Sequence, residues 1–158
     1  MSRARSVSQV TPDAFNLDDF LPYQVSVLAD ALSRSLSQVY QQRFGITVPE
    51  WRILAQLNKE SPLSAKEVSL RTNMDKPRVS RALARLDRGG LIKRRQDPAD
   101  RRIAMLELSA RGRTLIQELI PHLHDWEAAL YREVGSRDSA QLAALCKHMT
   151  DVLKARES

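Results

Sequence analysis

The chain has 158 residues, a length that suits one domain or one compact subunit. Its 42% hydrophobic and 28% charged residues are a globular balance, and its longest uncharged stretch, residues 20–29, is too short to span a membrane. Lys and Arg number 25 against 19 for Asp and Glu, a formal +6 that suits a polyanionic partner without naming one. One cysteine cannot form an internal disulfide. The basic opening MSRARSVSQVTPD lacks the apolar run of a secretory signal, so a cytoplasmic location with no membrane partner is expected.

Residues 1–16 hold few large apolar groups and read as a flexible N-terminal arm. Asp18 or Asp19 is placed to cap a first helix that tolerates Pro22 in its first turn. Its apolar positions Leu21, Val25, Leu28, Leu32, Leu36 and Val39 form a stripe about 27 Å long, and Gly45 stops the helix near Phe44. A second helix is expected after Pro49, with Trp51, Ile53, Leu54 and Leu57 on its apolar side. Ser64 and Glu67 form a capping box that opens a short helix to Arg71. After a break at residues 72–74, Asp75 caps the next helix, which buries Val79, Leu83 and Leu86 and ends at Gly89-Gly90.

Two strands follow at 91–95 and 103–108, joined by the turn-forming segment 96–102. Ser109 caps a long helix carrying Leu115, Leu119, Leu123, Trp126, Leu130 and Val134, which Pro121 should bend. Past Gly135-Ser136, a last helix shows Leu142, Leu145, Met149 and Val152. The predicted fold is mainly α with a small β-hairpin wing. Residues 49–108 make a winged helix-turn-helix, and residues 17–48 with 109–158 make a helical dimerisation region. The long apolar stripes of the terminal helices are most economically buried against a second copy, giving a homodimer.

The charge has a location. Ten basic residues lie between Lys76 and Arg102 against Asp87, Asp97 and Asp100, so that segment carries +7 and the remainder −1. The second helix of a helix-turn-helix enters the DNA major groove, where base edges are distinguishable. Opposite the apolar face of that helix lie Lys76, Arg78, Ser80, Arg81 and Arg85, with Arg78 and Arg81 placed for bidentate contact to guanine. Ser64, Lys66 and Thr72 are placed for backbone phosphates. In the wing, Arg95, Asp100, Arg101 and Arg102 form the second contact. One of Asp97 and Asp100 would fix the tip by pairing with an arginine, leaving another arginine to enter a minor groove. Binding should fall steeply with salt. The bland alternative is a solvated polar turn.

Ser64-x-x-Glu67-Val68, Met74-Asp75, Val79-Ser80-Arg81 and Leu86-x-x-x-Gly90-Leu91-Ile92 resemble the MarR family of bacterial winged-helix regulators. Asp97-Pro98-x-Asp100-Arg101-Arg102 and Leu106-x-Leu108-Ser109-x-x-Gly112 continue the likeness, which covers about residues 20–155. It implies a nucleoid-associated homodimer on double-stranded, pseudo-palindromic operator DNA, with reading helices about 34 Å apart. It also implies repression relieved by a small-molecule effector, with no catalysis and no cofactor. Residues 20–23 and 44–52 look like a subgroup that responds to aromatic acids or their coenzyme A thioesters, such as hydroxycinnamoyl-CoA. Tyr23, Val27, Arg34, Tyr40, Trp51, Arg52 and Trp126 are the candidates for its pocket, each also readable as core or surface. Alternatives are an architectural DNA-binding protein and a redox-sensing repressor. Cys146, beside the apolar stripe of the last helix and without a basic cluster, argues against the latter. His122 and His124 point to nearly opposite helix faces and His148 is remote, so no metal is expected.

Overall fold

A computed structural model of the protein describes residues 15–156. The arm expected over residues 1–16 lies outside this range except for Phe15 and Asn16. Two compact units divide the chain, the first ending at Arg34 and the second beginning at Ser35.

The first unit opens with a short 3-10 turn, Leu17–Asp19, capped by Asn16, whose side-chain oxygen accepts the Asp18 N–H at 3.1 Å. Asp18 and Asp19 lie inside this turn and do not cap the helix that follows, because Phe20 separates them from it. Helix α1 spans Leu21–Phe44 and carries Pro22 in its first turn, where no backbone donor is lost. In the first unit its apolar side chains Leu21, Tyr23, Val25, Val27 and Leu28 are exposed.

The second unit holds the core. Gly45, at φ +63°, takes the left-handed conformation that ends α1. Helix α2, Val48–Lys59, is opened by Thr47, whose N–H and hydroxyl both donate to Glu50 Oε2, at 2.6 and 2.8 Å. A two-residue strand β1, Leu63–Ser64, runs into α3, Ala65–Thr72, through the predicted Ser64–Glu67 capping box. Asn73 closes α3 in the left-handed region, at φ 51°. Asp75 then caps α4, Lys76–Arg88, by accepting the Arg78 N–H at 2.7 Å.

Strands β2, Ile92–Gln96, and β3, Ala104–Leu108, make the hairpin, paired Ile92 to Leu108 through Gln96 to Ala104. β1 adds to the other edge of β3, Leu63 opposite Leu106, so the sheet has three strands where the sequence reading had two. Helix α5, Ala110–Val134, runs unbroken through Pro121, and α6 spans Ser136–Arg156.

Ile53, Leu54, Leu57, Leu63, Val68, Leu83, Leu86, Leu106, Ile116 and Leu119 converge in one cluster from α2, β1, α3, α4, β3 and α5. Each such side chain contributes about 1.5–3 kcal/mol on burial, which holds α4 against its scaffold. Ser109 ties the start of α5 to the hairpin. Its N–H donates to the Leu91 carbonyl at 3.0 Å, and its hydroxyl donates to the Gly90 carbonyl at 2.7 Å. Gly112 sits where a Cβ would lie 2.0 Å from the Leu91 oxygen, so only glycine fits there. Along α6, Leu142, Leu145, Met149, Val152 and Leu153 are exposed.

Candidate nucleic-acid interface

Helix α4 is two-faced. Val79, Ala82, Leu83 and Leu86 are buried, whereas Lys76, Arg78, Ser80 and Arg81 are exposed and have no ion pair among the described residues. Positions 78, 81 and 85 fall three and four apart and share one stripe of the helix. Arg78 and Arg81 therefore leave unshared guanidiniums beside the N-terminal half of the helix. Arg85 does not. Its Nε donates at 2.6 Å to Oε1 of Glu50, which is 3% exposed on α2. A carboxylate that deep needs a cation, and Arg85 supplies it. Arg85 is thus an anchor of α4 on α2, a role the sequence reading did not give it.

The wing sorts its charges in the same way. Arg94 donates to Asp87 at 2.9 Å, and Arg95 pairs with Glu107 diagonally across the ladder. Arg95, expected as a DNA contact, is engaged by the sheet. At the tip Asp97 Oδ1 accepts the N–H groups of Ala99 and Asp100, at 2.6 and 3.0 Å, and shapes the turn. Asp100 holds Arg102: Nε and Nη2 donate to its two oxygens at 3.1 and 3.2 Å, and the Arg102 N–H adds a third bond at 3.0 Å. The guanidinium of Arg102, followed by its backbone N–H, keeps the Asp100 carboxyl below its ordinary pKa. The Arg102 side chain is 91% exposed, so it is fixed in direction yet open to solvent. Arg101 beside it has no ion pair among the described residues.

The three expected backbone contacts fare differently. Lys66 is exposed near the start of α3. Ser64 is half-buried, with its hydroxyl donating to Glu67 Oε2 at 2.7 Å and accepting the Glu67 N–H at 3.3 Å. Thr72 must be withdrawn: it is buried, and its hydroxyl donates back to the Val68 carbonyl at 2.6 Å.

The proposed pocket residues fall in both units. Tyr23 and Val27 are exposed in the first, where Arg34 also lies. In the second, Tyr40 and Trp51 approach with ring centroids 5.9 Å apart. The Tyr40 hydroxyl and the Trp51 indole N–H are both buried, and the approach of that N–H to the phenol is not a well-formed hydrogen bond. Burial pushes the Tyr40 phenol above its ordinary pKa, against the opposing pull of the Trp51 N–H and the Arg52 charge. Trp126 donates through its indole nitrogen to the Ser35 hydroxyl at 3.0 Å.

Two features were not anticipated. Arg43 Nη1 lies 3.0 Å from His122 Nε2, in a cleft of about 370 Å³ that Trp126 also lines. Cys146, expected beside a buried stripe, is exposed. Among the described residues, no group of three His, Cys, Asp or Glu side chains is placed to hold a metal ion. No helix among them is long and apolar enough to cross a membrane.

A family model described as "MarR family" matches residues 44–103, the span from the end of α1 to the wing. Those residues are similar to the MarR family, and they fold here as a winged helix-turn-helix. Proteins matched over this span are transcriptional regulators. The HTH-type transcriptional regulator MgrA of Staphylococcus aureus is 28% identical over 107 residues, 68% of this chain and 73% of its own. The crystal structure of a MarR/EmrR family transcriptional regulator from Acinetobacter sp. ADP1 aligns with a TM-score of 0.78 at 28% identity, covering 89% of this chain and 99% of that one. Bordetella bronchiseptica BpsR, in a structure described as the mechanism by which 6-hydroxynicotinic acid regulates its DNA binding, aligns at 0.80 with 20% identity, covering 87% and 98%. That last likeness carries the MarR-type fold alone.

Proposed function

We propose that the protein is a homodimeric repressor that is released from a pseudo-palindromic operator when a small aromatic acid, or its coenzyme A thioester, binds near Tyr40 and Trp51. The observation that carries the ligand is the pair of buried polar atoms, Tyr40 Oη and Trp51 Nε1, which approach each other without a well-formed hydrogen bond. A buried hydroxyl or indole N–H without a partner costs about 1–3 kcal/mol. A ligand with an acceptor beside an aromatic body recovers that cost, and Arg52 is the nearby cation for its acid group. BpsR offers a precedent on this fold for DNA binding regulated by an aromatic acid.

The dimer is supported by the exposed apolar side chains at the start of α1 and along α6, which a second copy would cover. On DNA, Arg78 and Arg81 read the major groove while Lys66 meets phosphate. Arg102, aimed by Asp100, enters the minor groove with Arg101 beside it. Release needs a ligand that binds the non-DNA-binding arrangement more tightly, since equal affinity for both shifts nothing.

The test is fluorescence anisotropy of a labelled duplex taken from the region upstream of the protein's own gene. It is titrated first with the protein and then with a panel of aromatic acids and their coenzyme A thioesters. Loss of the complex with at least one ligand, and retention by a Tyr40→Phe variant, is the expected result. No response across the panel would favour an architectural protein.

A further inference from the structure

Glu50 of α2 is 3% exposed, and both of its oxygens are committed. Oε2 accepts the Thr47 N–H and hydroxyl at 2.6 and 2.8 Å, which fixes the carboxylate to the turn after α1. Oε1 accepts the Arg85 Nε at 2.6 Å. A carboxylate held at both oxygens cannot turn, so it presents one fixed acceptor to α4.

Only one edge of the Arg85 guanidinium is used. The group is a planar fork of N–H donors, and engaging Nε leaves both Nη groups able to donate. Nη1 and Nη2 have no hydrogen-bond partner among the described residues, and the side chain is 54% exposed. Arg85 also shares the stripe of α4 that carries Arg78 and Arg81. The N-terminal residues of a reading helix meet base edges, and Arg85 lies about one turn beyond Arg81, which suits a backbone phosphate.

We propose, resting on the DNA-binding reading of α4, that Glu50 is a positioning residue for DNA binding: it holds Arg85 through Nε and leaves Nη1 and Nη2 aimed at a backbone phosphate. A guanidinium already fixed in the free protein loses little rotamer freedom when the phosphate arrives, and its charge-assisted N–H···O bonds then form at small entropic cost. Asp100 holds Arg102 in the wing in the same manner, one carboxylate directing one exposed guanidinium. Charge alone predicts the opposite, since an anion 2.6 Å from Arg85 reduces its pull on DNA. Thr47, Glu50 and Arg85 form one chain from the turn after α1 to the reading helix.

The experiment is anisotropy at several salt concentrations on the duplex from upstream of the protein's own gene and on its single-base variants. The full chain is compared with Glu50→Gln and with Glu50→Gln/Arg85→Gln. Glutamine keeps the shape of Glu50, and neither variant leaves a buried charge alone. Glu50→Gln should weaken binding about tenfold on every duplex alike, with a salt slope shallower by about 0.9 for each bound copy, and the double variant should match it. Equal or tighter binding by Glu50→Gln would overturn the proposal, because charge would then outweigh aim. A double variant much weaker than Glu50→Gln would also overturn it, since Arg85 would be acting unaimed. So would a relaxed base preference in Glu50→Gln, which is what a merely loosened α4 produces. Without any substitution, the Arg85 Nε–H signal should exchange slowly in proton–nitrogen spectra of the free chain, and rapid exchange would overturn the aiming. No salt-sensitive binding by the unsubstituted chain to any duplex would overturn the DNA-binding reading itself, and the proposal with it.

Discussion

Replacing Gly112 by alanine is the smallest change that should damage this fold. The added Cβ would lie 2.0 Å from the Leu91 carbonyl oxygen, 3.0 Å from its carbon and 3.5 Å from Leu108 Cδ2. Both nearer atoms are backbone, so no side chain can swing aside. Restoring an ordinary contact requires α5 and the Leu91 turn to part by about 1 Å. That movement stretches the Ser109 N–H bond to the Leu91 oxygen, now 3.0 Å, and the Ser109 hydroxyl bond to the Gly90 oxygen, now 2.7 Å. Each lost bond costs about 1 kcal/mol, and overpacking a tight site costs about 1–3 kcal/mol more. Alanine returns at most about 1 kcal/mol through helix propensity. The net expectation is a destabilisation of about 2–4 kcal/mol. Urea unfolding followed by circular dichroism, at fixed protein concentration, should show the midpoint falling by about 1–2 M with an unchanged slope. Gly90→Ala is the comparison, since its φ of +65° is strained for alanine but open space surrounds it, and it should cost only about 1 kcal/mol. A Gly112→Ala midpoint no lower than that of Gly90→Ala would refute the close-approach argument.

Other consequences are equally direct. Arg81→Ala should cost about 1–3 kcal/mol of DNA affinity and relax preference at one base position, as read by anisotropy on single-base operator variants. Uniform weakening across all variants would make Arg81 a phosphate contact. Asp100→Ala removes a negative charge from the wing tip, which by simple Coulomb reasoning should tighten DNA binding. Because Asp100 aims Arg102, weaker binding is expected, and tighter binding would show that the aiming is unimportant. Glu60 and Glu67 are held below the ordinary carboxylate range, Glu60 by the Arg71 guanidinium and Glu67 by the Ser64 backbone N–H. Lowered folded pKa values mean that the unfolded chain takes up protons first as pH falls. Their contribution is complete above the ordinary carboxylate range and is lost as pH drops through the folded values. Chemical denaturation between about pH 7 and pH 3 should therefore show a decline that Glu60→Gln/Glu67→Gln makes shallower. An equally steep decline in that variant would assign the loss to other carboxylates.

What the sequence made legible was local. Ser64 with Glu67, Asp75 with Pro77 and the pair Gly89-Gly90 act within one helical turn, so their spacing alone marks the ends of α3 and α4. The hairpin was visible because its turn formers sit between two β-prone runs, and the strands moved by only one residue at each start. What stayed hidden depends on partners far along the chain. β1 has two residues and no periodicity, and it is a strand only because β3 lies beside it. Arg85 looked like its neighbours Arg78 and Arg81 until Glu50, 35 residues away, claimed it. Arg43 and His122 are 79 residues apart, and no pattern within either helix announces the other. Thr72 resembled a phosphate donor by type and position, yet a hydroxyl on a buried face turns back to its own helix. At Asp18 and Asp19 the composition of a helix start was present, but Asn16 formed the cap of a separate turn first.

The central strand β3 has a mechanical consequence. One edge of it carries β2 and so the outgoing leg of the wing, while its other edge grips β1, which leads directly into α3. Leu106 faces Arg94 on one side and Leu63 on the other. The wing is therefore joined to the start of α3 by a continuous ladder rather than by a flexible joint. In the proposed DNA complex each protomer would behave as a two-pronged gauge of fixed opening, set against one major groove and the minor groove next to it. In the proposed dimer the adjustable dimension is the distance between two such gauges. A signal that silences the protein would act by resetting that distance, leaving each gauge undeformed.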